Sequence, residues 1–272
     1  MLIAQVTDPH IKAKGRLAYR NVDTAVNLQR CIDHLIQLNT PPDIVLMTGD
    51  LTDFGRVKEY QLLRELMAPL DMPVYVIPGN HDERENFREA FKDHPYLPPS
   101  GDLRYVIEDY PLRMIALDTT IAGKAEGELC SDRLAWLDQR LREKPDLPTL
   151  IFMHHPPLTT GIHHMDLQNC QNGEALGQLL ETHPQVFQIL CGHVHRPIHV
   201  QWHGVTVSIA PSASHYVALD LGEYSPANFY LEPPTMQMYE WCDDSHLIAH
   251  LSFIGDFDGP YPFYDKHGKL ID

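Results

Sequence analysis

The side chains best suited to chemistry are histidines and carboxylates that recur in short, separated clusters. The chain holds 17 histidines in 272 residues, and histidine is the commonest metal-ligating side chain. Five short segments bring these types together: Asp8-Pro-His10, Gly49-Asp50, Gly79-Asn-His-Asp82, His154-His155-Pro156 and Gly192-His-Val-His195. Mixed imidazole and carboxylate ligands suit zinc, iron or manganese and do not select calcium. We therefore predict a transition-metal site built from these segments.

Each segment directly follows an apolar run that predicts a buried β-strand. The runs cover residues 2–7, 43–48, 73–78, 149–153 and 186–191 and are rich in Val, Ile and Leu. In open α/β sheets the loops that follow the strands converge on one edge, and sites form there. Two aspartates, an asparagine and three or more histidines are therefore expected at one rim.

The number of candidate ligands points to two ions rather than one. Seven ligating side chains are too many for a single tetrahedral zinc, but they suit two ions about 3.5–4 Å apart that share a carboxylate. Such a pair lowers the pKa of a bound water and neutralises charge on a phosphoryl oxygen. The sequence therefore favours a hydrolase that acts on phosphate esters.

Stretches of helical period alternate with the predicted strands. Apolar residues recur at three- and four-residue steps over residues 22–36, and further helices are predicted at about 58–67, 83–92 and 173–182. Another helix is predicted from Ser131, interpreted as its N-cap, to about residue 142. This alternation predicts an α/β protein with buried sheets covered by helices.

The end of the chain has a different pattern. Beyond about residue 216 the sequence is rich in aromatic residues and proline. We predict a site-bearing domain over residues 1–215 and a C-terminal extension over residues 216–272, which serves as a cap or an oligomer interface.

Charge and composition exclude several classes of protein. With 37 Asp and Glu against 21 Lys and Arg, the net charge is −16, so we expect no long nucleic acid as a partner. No stretch approaches the roughly 20 apolar residues that cross a bilayer, and the first residues lack the basic start of a signal peptide. The five cysteines are scattered and odd in number, which suits a reducing compartment. We expect a cytoplasmic protein that does not bind membranes.

The order of the five segments, DxH…GD…GNHD…HHP…GHxH, resembles that of the calcineurin-like metallophosphoesterase superfamily over roughly residues 1–215. The resemblance implies a four-layer αββα sandwich, in which two mixed β-sheets are flanked by helices. It also implies two divalent ions (Mn, Fe, Zn or Co) and attack of a metal-bound hydroxide on phosphorus. Carried over by motif, the ligands are Asp8, His10 and His195 for one ion, Asn80, His154 and His193 for the other, and Asp50 as the bridge.

The same resemblance implies roles around the substrate. His81 matches the family position that contacts the phosphate and protonates the leaving oxygen, so we predict that it is catalytic. Asn80 and His81, together with His215 after the last core strand, are the predicted substrate-binding residues.

The subfamily can be narrowed by motif. Phosphoprotein phosphatases carry GDxVDRG, but position 54 is Phe54 here, so the phosphate-gripping arginine is missing. YVIPGNHDE, IFMHHPPL and CGHVH look like bacterial cyclic nucleotide phosphodiesterases and glycerophosphodiesterases. Met165, Asp166 and His215 make the glycerophosphodiesterases the nearer match. Members of this group commonly form homo-oligomers through a C-terminal extension.

We therefore predict a dinuclear phosphodiesterase that hydrolyses small phosphodiesters, with glycerophosphodiesters as the first candidates. The main alternative is a 3′,5′-cyclic nucleotide (cAMP) phosphodiesterase. Two lesser alternatives are a nuclease of the same superfamily, which the negative charge disfavours, and a metal-free, non-catalytic scaffold. Scaffolds usually have broken ligand sets, whereas every ligand position is filled here.

Overall fold

The computed structural model describes residues 1–242 and 246–272. In these residues the helices are α1 (Thr24–Gln37), α2 (Val57–Met67), α3 (Arg84–Ala90), α4 (Ser131–Glu143), α5 (His163–Asp166) and α6 (Gly173–Leu180). The strands are β1 (Leu2–Val6), β2 (Ile44–Thr48), β3 (Val74–Ile77), β4 (Tyr105–Ile107), β5 (Arg113–Leu117), β6 (Gly127–Glu128), β7 (Thr149–Met153), β8 (Cys170–Gln171), β9 (Val186–Cys191), β10 (Ile198–Trp202), β11 (Val205–Ile209), β12 (Tyr216–Val217), β13 (Phe229–Tyr230), β14 (Thr235–Cys242) and β15 (His246–Phe253).

Two larger mixed sheets organise the chain. The first has the order β15-β14-β1-β2-β3, with β1, β2 and β3 parallel and β14 antiparallel to both its neighbours. The second has the order β10-β11-β9-β7-β5-β4, with a parallel centre and an antiparallel strand at each edge. The strands predicted to precede the five polar segments are all present, as β1, β2, β3, β7 and β9.

Three apolar cores show how the sheets and helices are layered. One core lies between the first sheet and the helices α1 and α2. It includes Leu28 of α1, Tyr60 of α2 and Val45 of β2. A second lies between the sheets and includes Phe152 from one and Tyr239 from the other. The third packs α4 and α6 against the second sheet. This arrangement is the predicted αββα sandwich, which the structure confirms.

Local signals explain where the helices begin. The Asp23 carboxylate accepts a hydrogen bond from the Val26 N–H at 3.1 Å and caps α1, whose buried residues recur at helical spacing. The interpretation of Ser131 as an N-cap is wrong: Ser131 is the first helical residue, and Cys130 occupies the cap position without a side-chain hydrogen bond. Among the described residues, no helix has both the length and the apolarity to span a membrane.

The C-terminal segment contributes to the first sheet. β14 pairs with β1 along four residues, and β15 forms the edge beyond it. Tyr239 and Trp241 of β14 are buried between the two sheets. The boundary at 215/216 and the cap or interface role of residues 216–272 remain predictions, and residues 243–245 of that segment lie outside the described residues.

Candidate metal centre and substrate cleft

The five polar segments meet where the carboxyl ends of the two sheets lie side by side. Backbone hydrogen bonds join their loops directly. The Asp8 N–H donates to the Gly49 carbonyl at 3.1 Å, and the His10 N–H donates to the Asp50 carbonyl at 3.0 Å. The Gly192 N–H donates to the His154 carbonyl at 3.0 Å. The predicted convergence of these segments on one rim is therefore what the structure shows.

The backbone is strained at most of the candidate ligands. A left-handed conformation costs a non-glycine residue about 1–2 kcal/mol. Positive φ angles of 47–70° occur at Asp8, His10, Asp50, His193 and His195. Such strain persists only where the surrounding structure enforces it, and it is concentrated at functional sites. The tight turns after the strands thus serve the placement of side chains rather than local stability.

One group of ligand atoms gathers around His10 and His195. Their Nε2 atoms lie 3.2 Å apart, and Asp8 Oδ1 lies 3.2 Å from His195 Nε2. Asp50 Oδ2 lies 3.6 Å from His10 Nε2. His195 Nδ1 is 3.2 Å from the carbonyl oxygen of His215. Because Nδ1 donates to that carbonyl, the Nε2 of neutral His195 carries a lone pair that points into the group.

A second group is built around His154 and Asn80. His154 Nε2 lies 3.2 Å from Asn80 Oδ1 and 3.4 Å from Asp50 Oδ2, and His193 Nδ1 lies 3.1 Å from Asn80 Oδ1. His154 Nδ1 is 2.8 Å from the Thr48 carbonyl oxygen and donates to it. The Nε2 lone pair of neutral His154 therefore also faces oxygen acceptors. Asp50 Oδ2 thus lies within 3.6 Å of a histidine Nε2 in each of the two groups.

This donor set fits two divalent cations. In each group lone pairs of nitrogen and oxygen face one another across about 3 Å, and such an arrangement is costly in a buried site unless a cation or a proton lies between them. Among the described residues, His193 Nε2 is buried without a hydrogen-bond partner. Imidazole and carboxylate groups are ligands that zinc, iron and manganese accept. The site therefore has the chemistry of a dinuclear centre.

Protonation of the histidines shows how strongly the site attracts positive charge. Burial disfavours charge on His154, but Asp50 and Asp8 outweigh it and raise the His154 pKa to about 9. Burial, reinforced by the nearby His154, lowers the pKa of His193 to about 3. A proton on His154 thus offsets part of the carboxylate charge, and a bound cation would take its place because a ligating histidine must be neutral.

Gly49 makes room for His154. Its φ of +97° lies in a region that favours glycine. A Cβ atom at this position would lie 2.3 Å from His154 Nδ1, so a side chain here would displace that ring. The turn after β2 therefore requires glycine for both its conformation and its contact.

His81 lies at the edge of the candidate metal centre, with 34% of its side chain exposed. Its N–H donates to Asp50 Oδ1 at 2.8 Å, and its Nδ1 donates to the Asp53 carbonyl oxygen at 2.9 Å. His81 Nε2 lies 4.0 Å from Asp50 Oδ2. Burial opposes protonation, but the Asp50 charge outweighs it and raises the His81 pKa. The Asp50 carboxylate therefore favours the protonated form of this ring beside the candidate ligands.

A cleft of about 220 Å³ opens onto the candidate ligands. Two groups of side chains extend its lining beyond them: Tyr19, His215 and Phe229 form one, and His164, Met165 and Gln168 form the other. The predicted substrate residues Asn80, His81 and His215 all line this cleft.

Asp166, which the sequence linked to a glycerophosphodiesterase-like loop, has an internal role. Its carboxylate accepts hydrogen bonds from the Thr160 and Gly161 N–H groups at 2.7 and 2.9 Å. It also accepts one from the Asn169 amide at 3.1 Å. Asp166 therefore shapes the loop that carries Met165, whose side chain reaches the cleft.

Sequence reasoning assigned no role to two carboxylates that the structure places around the ligands. Asp82 accepts hydrogen bonds from the Gly79 and Leu51 N–H groups, both at 3.0 Å, and thereby joins two ligand loops. Asp53 Oδ1 lies 3.5 Å from His10 Nδ1. Asp53 is the last residue of the motif GDLTD, and Asp82 is the last residue of GNHD. Their position next to predicted ligands was the feature of the sequence that could have indicated a role.

His155 has both ring nitrogens engaged. Its Nε2 donates to the Ala125 carbonyl oxygen at 3.1 Å, and its Nδ1 accepts from the Thr119 hydroxyl at 2.8 Å. Neither nitrogen is left to bind a metal ion.

Known proteins resemble this chain along most or all of its length. A protein of Arcobacter nitrofigilis named "Probable glycerophosphodiester phosphodiesterase GpdQ" is 47% identical over 273 residues, which is 100% of each chain. The "3',5'-cyclic adenosine monophosphate phosphodiesterase CpdA" of Vibrio vulnificus is 30% identical over 210 residues, covering 77% of this chain and 75% of its own. The crystal structure of a dimetal phosphatase from Danio rerio shares the fold. It has a TM-score of 0.59 and 17% identity, and the match covers 94% of this chain and 99% of that one.

A family model describes the part of the chain that builds the site. The model of the calcineurin-like phosphoesterases matches residues 1–197, which include every candidate metal ligand. The sequence motifs, the αββα sandwich and the clustered His and Asp side chains agree with this match. The protein belongs to the calcineurin-like phosphoesterase family.

Proposed function

We propose that the protein is a dinuclear metal-dependent phosphodiesterase that hydrolyses small phosphodiesters, and that glycerophosphodiesters are its substrates. The observation that carries the reaction class is the pair of ligand groups that share Asp50 at the mouth of the cleft. The substrate class is supported by the 47% identity, over the full chain, to a relative with a glycerophosphodiester phosphodiesterase name.

The ligand assignment follows the two groups of side chains. We assign one ion to Asp8, His10 and His195, the other to Asn80, His154 and His193, and the bridge to Asp50. Support comes from His10 and His195, whose Nε2 atoms are 3.2 Å apart, and from His154 and Asn80, which approach to 3.2 Å. We propose Mn, Fe, Zn or Co as the ions, because this ligand set accepts all four and metal availability often decides among them.

The ions and the residues that line the cleft would have different roles in the reaction. Two divalent ions would supply charge to stabilise the phosphoryl oxygens and to activate the attacking water. Asn80, His81 and His215 line the cleft and would orient the diester. His81, with its Nδ1 held by the Asp53 carbonyl, would transfer a proton from Nε2 to the departing alkoxide oxygen. Burial of Asp8 and Asp50 keeps these carboxylates out of contact with bulk water.

The main alternative is hydrolysis of 3′,5′-cyclic nucleotides, which the CpdA relative favours. A superfamily nuclease is disfavoured, because none of the described residues lining the cleft is Lys or Arg and the net charge is −16. A metal-free scaffold is disfavoured by the complete ligand set.

A side-by-side assay tests the proposal. Manganese-loaded protein should hydrolyse glycerophosphoethanolamine with a kcat/KM at least tenfold above that for 3′,5′-cyclic AMP. A ratio reversed in favour of cyclic AMP would contradict the substrate class but keep the reaction class. Protein that purifies without metal and stays inactive after addition of manganese would contradict both and favour the scaffold.

We further propose that the protein is a cytoplasmic homo-oligomer that associates through residues 216–272. Large apolar side chains are exposed near the end of the chain, with Phe263 at 79% exposure and Tyr261 at 71%. In the part of the chain that the structure describes, no disulfide joins any of the five cysteines, as is usual in a reducing compartment. Light scattering should give a multiple of 31.1 kDa for the wild type and a smaller mass for Phe263→Glu. A monomeric wild type would contradict the assembly.

A further inference from the structure

Three aromatic rings meet at an angle beside the candidate metal centre. The centroids of Tyr19 and Phe229 lie 5.2 Å apart with their planes inclined by 43°. His215 completes the group, 5.2 Å from Tyr19 at 65° and 5.4 Å from Phe229 at 75°. All three line the cleft. We call this group the aromatic corner.

The shape of the aromatic corner suits a compact group better than a flat one. To enclose a purine between two faces, parallel rings must stand roughly 7 Å apart, twice the distance of carbon–carbon contact. The Tyr19 and Phe229 rings are closer than that and contact each other with their planes inclined by 43°, so no flat group fits between them. Inclined aromatic faces are the usual setting for quaternary ammonium groups, which are attracted to the negative π faces.

The charge of the surroundings also suits a cation. None of the described residues that line the cleft is Lys or Arg. Arg16 and Arg20, on the same loop as Tyr19, are exposed and lie outside the lining. The chain as a whole carries a net charge of −16, which attracts cationic ligands.

The position of the corner matches the reach of a choline ester. The centroid of the His215 ring lies 4.6 Å from that of His195 and 5.5 Å from that of His10. The aromatic corner is therefore in direct contact with these candidate ligands. A second groove, lined in part by Asn228 and Phe229, adjoins the cleft there. An ammonium group joined to the phosphate oxygen by two carbons can therefore reach the aromatic faces.

We propose that Tyr19 and Phe229 bind the quaternary ammonium group of choline-bearing phosphodiesters and so make the enzyme selective for a cationic alcohol. This inference rests on the proposed function, because it assumes that a small diester occupies the cleft. It names the class of alcohol that the site prefers, which neither the ligand groups nor the family determines.

A pair of isosteric substrates tests the proposal. Glycerophosphocholine is compared with the glycerol phosphodiester of 3,3-dimethylbutanol, in which a neutral carbon replaces the ammonium nitrogen. Because a cation–π contact contributes about 0.5–2 kcal/mol, manganese-loaded wild type should favour the choline diester by about two- to thirtyfold in kcat/KM. In Phe229→Leu the ratio of the two kcat/KM values should fall toward one. Equal rates for both diesters in the wild type would overturn the proposal without touching the proposed function.

Binding of free choline gives a readout that does not need turnover. Choline methyl protons should shift upfield in NMR spectra on binding, as expected above an aromatic face. Phe229→Leu should weaken the choline Kd at least threefold, whereas Tyr224→Leu, at a tyrosine with 90% exposure, should leave it unchanged. If neither diester is hydrolysed, the proposed function fails, and choline affinity alone decides this inference. Equal affinity for choline and 3,3-dimethylbutanol would overturn it.

Discussion

The Gln5 side chain of the first sheet donates a hydrogen bond from Nε2 to the Cys191 carbonyl oxygen of the second sheet at 2.9 Å. The same Nε2 donates to the Thr48 hydroxyl at 2.9 Å. Thr48 and Cys191 are the last residues of β2 and β9, and the loops that follow them carry Asp50 and His193. A single buried amide therefore joins the two strands whose loops carry candidate ligands from opposite sheets.

The C-terminal segment takes part in this link, and its contribution can be measured. The Tyr239 hydroxyl donates to Gln5 Oε1 at 3.1 Å, and both residues are almost fully buried. Tyr239→Phe removes this donor and leaves a buried amide oxygen without it, so we expect a loss of about 1–2 kcal/mol in the free energy of unfolding. Urea denaturation measures this loss. Tyr224→Phe, on an exposed ring, is the matched control and should change stability by less than about 0.5 kcal/mol. Equal stability of both variants would show that the bond contributes nothing.

Gly49→Ala should damage the site more than the fold. The added Cβ would sit 2.3 Å from His154 Nδ1, and ordinary contact begins at 3.4 Å, so the ring must move by about 1 Å. A misplacement of that size can reduce kcat/KM by about 10²-fold. We expect this loss in manganese-loaded protein, together with a weaker metal affinity.

Gly204→Ala is the control that introduces backbone strain without a contact to His154. Gly204 also has a positive φ, +80°, but a Cβ there meets nothing within 4 Å. We expect this variant to lose about 1–2 kcal/mol of stability from the left-handed conformation and to keep full activity and metal affinity. Equal kinetic damage in both variants would mean that strain, and not displacement of His154, explains the effect.

The sequence predicted the convergence of the polar segments better than it predicted the strands near the end of the chain. Candidate ligands such as Asp8 and His193 could be grouped in advance because each follows a strongly apolar strand, and parallel strands bring their carboxyl ends to one edge. β14 was not predicted. Polar and apolar side chains alternate over Thr235–Met238 as in a half-exposed strand, yet Thr235–Tyr239 are all buried, so this pattern does not indicate a strand inside the first sheet.

Contacts between distant segments were equally out of reach. Tyr19 and Phe229 are 210 positions apart, and no local pattern predicts that their rings lie 5.2 Å apart. Asp82 stood beside predicted ligands in the sequence, but its hydrogen bond to the Leu51 N–H at 3.0 Å depends on how two loops pack. Local motifs thus predicted which residue types meet, and tertiary packing determined what surrounds them.

Asp50→Ala should deplete both ions and abolish activity. Its Oδ2 approaches His10 Nε2 at 3.6 Å and His154 Nε2 at 3.4 Å, so one carboxylate serves both ligand groups. Metal content per chain, measured by plasma mass spectrometry, should fall well below two equivalents. Asp33→Ala, which removes an exposed carboxylate on α1, should keep the wild-type content. Two full equivalents in Asp50→Ala protein that retains its circular dichroism spectrum would contradict the bridging assignment.

His81→Ala should slow turnover while leaving the metal content intact. The bond from the residue 81 N–H to Asp50 Oδ1 comes from the backbone and survives the substitution, so the ligand groups keep their support. Loss of a general acid should reduce kcat for an alkyl diester by about 10²–10⁴-fold. An aryl diester with a nitrophenolate leaving group should be affected far less, because that oxygen departs without a proton. His203→Ala, at a surface histidine paired with Glu174 and Glu181, should behave as wild type with both substrates. An equal loss with both leaving groups would show that His81 orients the phosphate and does not donate a proton.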